Sequence, residues 1–466
     1  MLDMNWPLSD LNDALGGQLV HAPDQPVGDE LITQVRTDSR QVLKGDLFVC
    51  LRGERFDAHD FAQQVCDQGA IALVVDRRLS VPVPQFVVAD TRLALGRLAH
   101  AWRNRFDSIV LAVVGSNGKT TSKEMLGSVC KAHVGEQAVL VTEGNLNNDI
   151  GVPLTLLRMR EQHRMAVIEL GMNHPGEIDY LSGLVKPDVV LLTNAQREHQ
   201  EFMKSVQAVA LENGSAFSHL SVNGTAVFPC GTDFDQQWLA LSTGSRVQRF
   251  GEGGDFSLST LTQADSVGCA QLQTPVGNVV IRPSFLGQHN NLNAAGASAA
   301  AHAAGCSIEA IVQGLERFVP VSGRLQVALK TPSLLLINDT YNANPDSVLA
   351  ANSVLAGQGE NTLLILGDMG EVGDQSALFH REVGSHAKAC GVGLLYGLGQ
   401  ETRLSVEAFG DGGFHFENIE DLIENTMNTL KQGKWSVLVK GSRFMKMERV
   451  VQAIVEQHSK GDSHAS

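Results

Sequence analysis

The sequence predicts a three-domain α/β protein: a central, doubly wound, mostly parallel sheet built around a glycine-rich loop, a smaller N-terminal α/β domain, and a C-terminal Rossmann-like α/β domain. Three observations predict it. The chain has 466 residues, and at ~100–200 residues per domain that length accommodates three. Apolar strand-like runs alternate with helical ones along most of the chain, the pattern of parallel sheets with crossover helices. One strand, LAVVG, runs through GSNGKTT into an amphipathic helix, the order in which a phosphate-binding loop is built.

Taken in order, GDLFVCLRG reads as a strand, DAHDFAQQVCDQGA as a helix, and IALVVD and QFVVAD as strands, which defines a small domain over residues 1–107. A helix over 91–106 leads out of it. The middle domain, 108–318, contains LAVVG, the helix after Lys119, MAVIELG, DVVLLTNA, a glycine-rich hairpin-like region at 244–287 and an alanine-rich helix over 291–304. Within it, 231–283 reads as short strands and turns without recognisable chemistry. LLLINDT, TLLILGD, VGLLYG and SVLVKGS renew the alternation over 319–458, and the polar tail 459–466 reads as disordered.

Composition narrows the function. Lys plus Arg total 36 against 51 Asp plus Glu, a net charge of −15, so the overall field repels nucleic acid and anionic membranes, and any polyanionic substrate needs locally gathered cations. Seven dispersed cysteines without a C-x-x-C pair argue against a disulfide framework or zinc site and fit a reducing cytoplasm. The opening MLDMNWPLSDLNDALGG lacks the basic and apolar regions of a secretory signal, and no apolar run approaches the ~20 residues that span a bilayer. A cytoplasmic protein without membrane insertion is expected. No segment encodes an oligomeric state; a monomer is the working expectation.

The candidate chemistry begins at Gly115, Ser116, Asn117, Gly118, Lys119, Thr120 and Thr121. Glycines let backbone N–H groups close on phosphate, Lys119 adds a point charge, and the Thr120 hydroxyl can hold Mg2+. The pattern G-x-x-x-x-G-K-[ST] is incomplete, because its first glycine would fall at Val113. Glu169 ends the strand MAVIELG at the sheet edge where α/β proteins bind ligands, a position for a metal-holding carboxylate. Alone, Glu169 is equally a solvated strand end and His199 a surface histidine; the upstream loop favours function for both. Asn290, Asn291 and Asn293 open a helix with amides able to read a base edge or to cap. NDTYNANPDS gathers turn residues after a strand, and Arg324 in VSGR can reach a transferred phosphate across an interdomain cleft.

GSNGKTT, ELGMNHPGEI, GQHNNLNAAGA, SGR and NDTYNANPDS occur together and in order, and in them the chain resembles the Mur ligase family of ATP-dependent amide-bond-forming enzymes. TEGNLNNDIGVPLTLL (142–157), DTYNANP (339–345), LGDMGEVG (366–373) and VLVKGSRFMKMERVV (437–451) resemble the branch that joins D-alanyl-D-alanine to UDP-N-acetylmuramoyl-tripeptide, and TDSR with GDLFVCLRG resembles a nucleotide-sugar domain. The resemblance implies ATP and Mg2+ as cofactors and an acyl phosphate on the tripeptide carboxylate. It assigns catalytic roles to Lys119, Glu169, His199 and Arg324, with Thr120, Glu169 and His199 on the metal. It also brings Asn293 to adenine, Asp339 to the ribose, Tyr341 and Asn342 to the same cleft, Ser39 and Arg40 to the UDP side, and Asn145, Asn147 and Asn148 to the muramoyl-peptide side. Domain closure carrying Arg324 into the site is expected with it. Rival readings are a related ligase, adding the third peptide residue or adding glutamate to folate, and a nucleotide-gated binding protein without ligase activity. Whether the third residue of the tripeptide is meso-diaminopimelate or lysine is not encoded in any of these motifs.

One position departs from the family. Many members carry a lysine, carbamylated to serve a second metal, on the helix after the metal histidine; here SVQAVALENGSAF (205–217) has none, and Asn213 beside Glu212 takes its place. Either Glu212 or Asn213 supplies oxygen directly, or His199 and substrate phosphates hold the second metal more weakly. Both alternatives predict a Mg2+ requirement without a lysine carbamate.

Overall fold

A computed structural model describes residues 3–16, 18–20, 30–198, 200–261 and 268–462. Three sheets organise it. In the N-terminal one, Val35–Arg36, Leu47–Val49, Ala72–Val75 and Gln85–Val87 run parallel in that order, and Gln18–Val20 closes the edge antiparallel. The predicted helix at DAHDFAQQVCDQGA is shorter than its sequence run, a 3-10 turn Ala58–Phe61 continued by Ala62–Asp67, with the Asp57 side chain capping His59 N–H.

The helix Thr91–Arg103 is capped by Asp90, which accepts from the N–H groups of Arg92 and Leu93, and it ends three residues before the predicted 106. It packs on the middle domain: Trp102 Nε1 donates to Met159 O at 3.1 Å and Arg103 Nε to Val185 O at 3.1 Å. Position 107 therefore separates sheets rather than packing units.

The middle sheet runs Arg246–Phe250, Thr225–Pro229, Val189–Leu192, Ile109–Val114, Met165–Glu169, Val139–Val141, all parallel. Alternation along Ile109–Val114 sends Leu111 and Val113 into one apolar layer and Val110, Ala112 and Val114 into the other, so both faces are covered. Helices Lys119–Val134, Gln288–Ala303 and Ile308–Arg317 cover the first, with Gly314 tight against Val129. The region 231–283 is richer than predicted: it holds a helix, Asp235–Leu241, with Trp238 fully buried. Its strands Ser257–Thr260, Ala270–Thr274 and Gly277–Ile281 form a separate antiparallel sheet.

The C-terminal sheet runs Gln326–Lys330, Leu334–Asp339, Trp435–Lys440, Thr362–Gly367, Leu394–Leu398, Gly413–Phe416, parallel except for its first, antiparallel strand. Both edge strands, only partly buried, lack the continuous apolar run of the four predicted ones. The final helix, Glu448–Asp462, continues through 459–462, correcting the expectation of a disordered tail from Ser459; 463–466 lie outside the described residues. Among the described residues, no helix is long and apolar enough to cross a membrane.

Candidate active site

Strand Ile109–Val114 lies where the middle sheet's order turns, with the next strands in sequence added first on one side and then on the other. Its carboxyl end is the switch point at which open α/β sheets bind ligands, and the glycine loop leaves from there. Gly115 (φ +127°) and Gly118 (φ +81°) occupy backbone conformations that L side chains rarely adopt, and a Cβ on either would collide with Thr193 Oγ1 or with the Asn293 amide. Helix Lys119–Val134 begins at once, presenting its unpaired N–H groups and positive dipole end at the loop.

Lys119 Nζ donates to Gly115 O, to Ser116 O at 2.9 Å and to Glu198 Oε1 at 2.7 Å. The Glu169 carboxyl, 1% exposed, accepts on Oε1 from Thr120 Oγ1 at 3.1 Å and from Asn147 Nδ2 at 2.8 Å, while its Oε2 is buried without a hydrogen-bond partner. A buried carboxylate oxygen lacking a donor is unfavourable unless a cation meets it. The hydroxyl and carboxylate of Thr120 and Glu169 form the hard oxygen pair that Mg2+ favours, and Mg2+ completes its shell with water and phosphate. Among the described residues, no group of three or more His, Cys, Asp or Glu is arranged to hold a metal ion by itself. His199 lies outside the described residues.

Across the cleft, Arg324 sits in a turn between Gly323 (φ +75°) and Leu325 (φ +48°). A non-glycine residue at positive φ costs roughly 1–3 kcal/mol. The turn is held by Asp339, whose Oδ1 accepts Leu325 N–H at 3.1 Å and whose Oδ2 pairs with Lys440 Nζ at 2.7 Å. The Arg324 guanidinium stacks 4.2 Å over the Tyr341 ring, and its Nε is buried without a hydrogen-bond partner. Asn344 Nδ2 donates to Asn117 Oδ1 at 2.9 Å, bridging the two domains.

These residues surround one cavity of about 620 Å3, lined by 116–121, Asn147, Asn148, Glu169, Asn293, Arg324, Asp339, Tyr341 and Asn342. Not every predicted residue meets it. Asn148 lines it, but its side-chain oxygen is engaged by backbone, accepting Gly151 N–H at 2.9 Å where the helix Gly151–Leu156 begins. Asn145 and Arg40 are exposed, Ser39 is half-buried, and all three lie outside the lining. Arg40 pairs with Asp38 at 2.7 Å, and that hydrogen-bonded contact lowers the Asp38 carboxyl to about 2. Asn293 packs on Gly118, and its Nδ2 donates to Asn290 Oδ1 at 3.0 Å; Asn291 turns to Thr260 at 3.2 Å.

Glu212 and Asn213 serve the fold. Both Glu212 oxygens are taken by backbone N–H groups, of Gly176 and Ile178, each at 2.9 Å. Asn213, 1% exposed, accepts Gly115 N–H on Oδ1 at 2.7 Å and donates from Nδ2 to Val209 O at 3.0 Å. Of the two alternatives for the second metal, these contacts speak against the one in which Glu212 or Asn213 supplies oxygen, because their polar atoms already hold a helix start and the phosphate loop. Sequence reasoning also missed Glu198, Lys440 and His289. His289 lines the cavity, and burial holds its imidazole below the ordinary histidine range although Asp339 opposes it. Its place inside GQHNNLNA was the available signal; for Glu198 there was none.

Comparison with known proteins follows the same three units. Residues 31–103 match the Mur ligase family catalytic domain, 113–301 the Mur ligase middle domain, and 323–443 the Mur ligase glutamate ligase domain. The UDP-N-acetylmuramoyl-tripeptide–D-alanyl-D-alanine ligase of Haemophilus influenzae is 40% identical over 92% of this chain and 96% of its own. The crystal structure of MurF from Acinetobacter baumannii superposes with a TM-score of 0.91 at 36% identity, covering 98% of this chain and 100% of that one. MurF from Thermotoga maritima in complex with ADP gives 0.82 at 26% identity, with 92% and 98% covered. With a phosphate loop at the sheet's switch point, an arginine opposite it, and relatives that match from the first domain to the last, this chain belongs to the Mur ligase family.

Proposed function

We propose that the chain joins D-alanyl-D-alanine to UDP-N-acetylmuramoyl-tripeptide at the expense of ATP, producing the UDP-muramoyl-pentapeptide precursor of peptidoglycan. The observation that carries this reading is the 40% identity over 92% of the chain to a ligase of that name. In the reaction, the terminal carboxylate of the tripeptide attacks the γ-phosphorus of ATP and ADP leaves. The dipeptide amine then attacks the acyl carbon of the resulting acyl phosphate, loses a proton and expels phosphate.

The difficulty is electrostatic, since a carboxylate must approach a triphosphate within a chain of net charge −15. The loop N–H groups and Lys119 would cradle the phosphates once Lys119 leaves Glu198, and Arg324 would meet the transferred group from the opposite domain. Thr120 and Glu169 would hold Mg2+, with His199 on a second ion; bound Mg2+ neutralises charge on the phosphate oxygens. Asn147 orients Glu169 from the loop whose sequence marks the muramoyl-peptide side. Asp339 and Lys440 support the Arg324 turn besides any contact with the ribose. Ser39 and Arg40 would contact the UDP moiety from the first domain. Closure would exclude water from the acyl phosphate. The enzyme would work as a cytoplasmic monomer, where ATP is available.

The test is phosphate release from ATP, measured with and without each substrate. Release should require both the UDP-muramoyl-tripeptide and D-alanyl-D-alanine. Equal release with L-glutamate or with no acceptor would overturn the assignment.

A further inference from the structure

Between strand Val189–Leu192 and helix Gln200–Met203, the segment 194–198 is bonded to both sides of the interdomain cleft. On the phosphate-loop side, Asn194 Oδ1 accepts Asn117 N–H at 2.9 Å, Gln196 N–H donates to Ser116 Oγ at 2.9 Å, and Glu198 holds Lys119. On the C-terminal side, the Arg197 guanidinium meets Asp346 at 2.6 Å and Glu382 at 2.7 Å, its backbone N–H donates to Asp346 Oδ2 at 2.8 Å, and its Cζ lies 5.0 Å from the centre of the Phe379 ring. Its side chain is 22% exposed. A forked pair in that setting is stronger than an open surface ion pair, because both partners are held in place and partly shielded from water.

We propose that Arg197 is a positioning residue that clasps the C-terminal domain to the segment beneath the phosphate loop, and thereby holds Arg324 and Asn344 over the nucleotide. The inference rests on the ligase reading above. Its partners lie on two different elements, the helix start Pro345–Ala356 and the helix Ser376–Ala389, so the clasp fixes the orientation of the domain as well as its distance. Asn344 caps the first of these helices and reaches Asn117, two residues from the Asp346 side of the clasp. Arg197 and Asp346 border the cavity, but the Arg197 guanidinium is engaged by Asp346, Glu382 and Phe379, so its influence on catalysis passes through the placement of the domain.

The consequence separates this role from a catalytic or a purely structural one. When only the closed arrangement binds ATP fully, apparent affinity falls in proportion to its population, whereas saturating substrates restore closure and turnover. Arg197→Gln should therefore raise KM for ATP by about ten-fold with kcat within about two-fold of wild type. Glu382→Gln should move KM the same way by less, and the double variant should be no worse than Arg197→Gln, because both remove one interaction. Small-angle scattering of the nucleotide-free Arg197→Gln protein should show a larger radius of gyration than wild type, reversed by ADP with Mg2+ and UDP-muramoyl-tripeptide. An unchanged KM, a fall in kcat at fixed KM, additive effects in the double variant, or unchanged scattering would each overturn the proposal. If Arg197→Gln does not fold, Glu382→Gln, whose side chain is 36% exposed, carries the same kinetic and scattering tests. A wild type that fails to ligate would refute the ligase reading, while the scattering comparison would still decide the clasp.

Discussion

Asn213→Leu isolates the tie that holds the phosphate loop from below. Leucine keeps asparagine's γ-branching, so no cavity is opened, and its bulkier methyl groups add an overpacking term in the same destabilising direction. What disappears is the oxygen that accepts Gly115 N–H at 2.7 Å and the amide that donates to Val209 O at 3.0 Å. Val209 O lies inside helix Val206–Ser215 and loses only an additional donor, so its share is small. Gly115 is buried and Asn213 is 1% exposed, so water cannot substitute. A buried N–H left unsatisfied costs ~1–3 kcal/mol. For a domain of this size, ~1 kcal/mol moves a midpoint by ~2–4 °C, so the middle-domain Tm should fall by roughly 2–12 °C. If the same free energy separates a slack loop from the binding-competent one, KM for ATP rises by roughly 5- to 150-fold. Scanning calorimetry reads the first effect and phosphate release against ATP concentration the second. A variant with wild-type Tm and wild-type KM would refute the argument.

Lys119→Ala should reduce turnover by ~10²–10³ with the circular dichroism spectrum unchanged, since its charge acts on phosphate from the half-buried first turn of a helix rather than from the core; near-normal turnover would remove the phosphate loop from the mechanism. Arg324→Ala should depress ligation while nucleotide binding, measured by calorimetry with ADP, is largely retained, because the loop that holds the phosphates belongs to the other domain. Activity should survive rigorous removal of bicarbonate and intact mass should show no carbamate, because Asn213 offers no amine; bicarbonate-dependent turnover would contradict this.

Much of the site was legible because its chemistry is local. A strand, two glycines, a lysine and a threonine in immediate succession can do little else at a strand end, and Gly118, Lys119 and Thr120 line the cleft with Glu169, while Gly115 lies just behind the lining. Asn147 and Glu169 were each singled out from the sequence, yet the hydrogen bond between them was not. Asn148 shows the converse: capping and ligand contact require the same residue types, so pattern alone cannot separate them.

The sequence by itself determined the alternation of strands and helices, the three-domain organisation and the phosphate loop, because each depends on periodicity or on neighbours a few residues apart. Only the tertiary structure decided which distant groups complete them. Gly115 and Asn213 are separated by 98 residues, Lys119 and Glu198 by 79, and Asn117 and Asn344 by 227. Those pairs exist because the order of the parallel strands sets the carboxyl ends of Ile109–Val114 and Val189–Leu192 side by side and the closure of the cleft adds the third domain. Strand order and domain orientation are fixed by packing over the whole chain. No short window of sequence contains them.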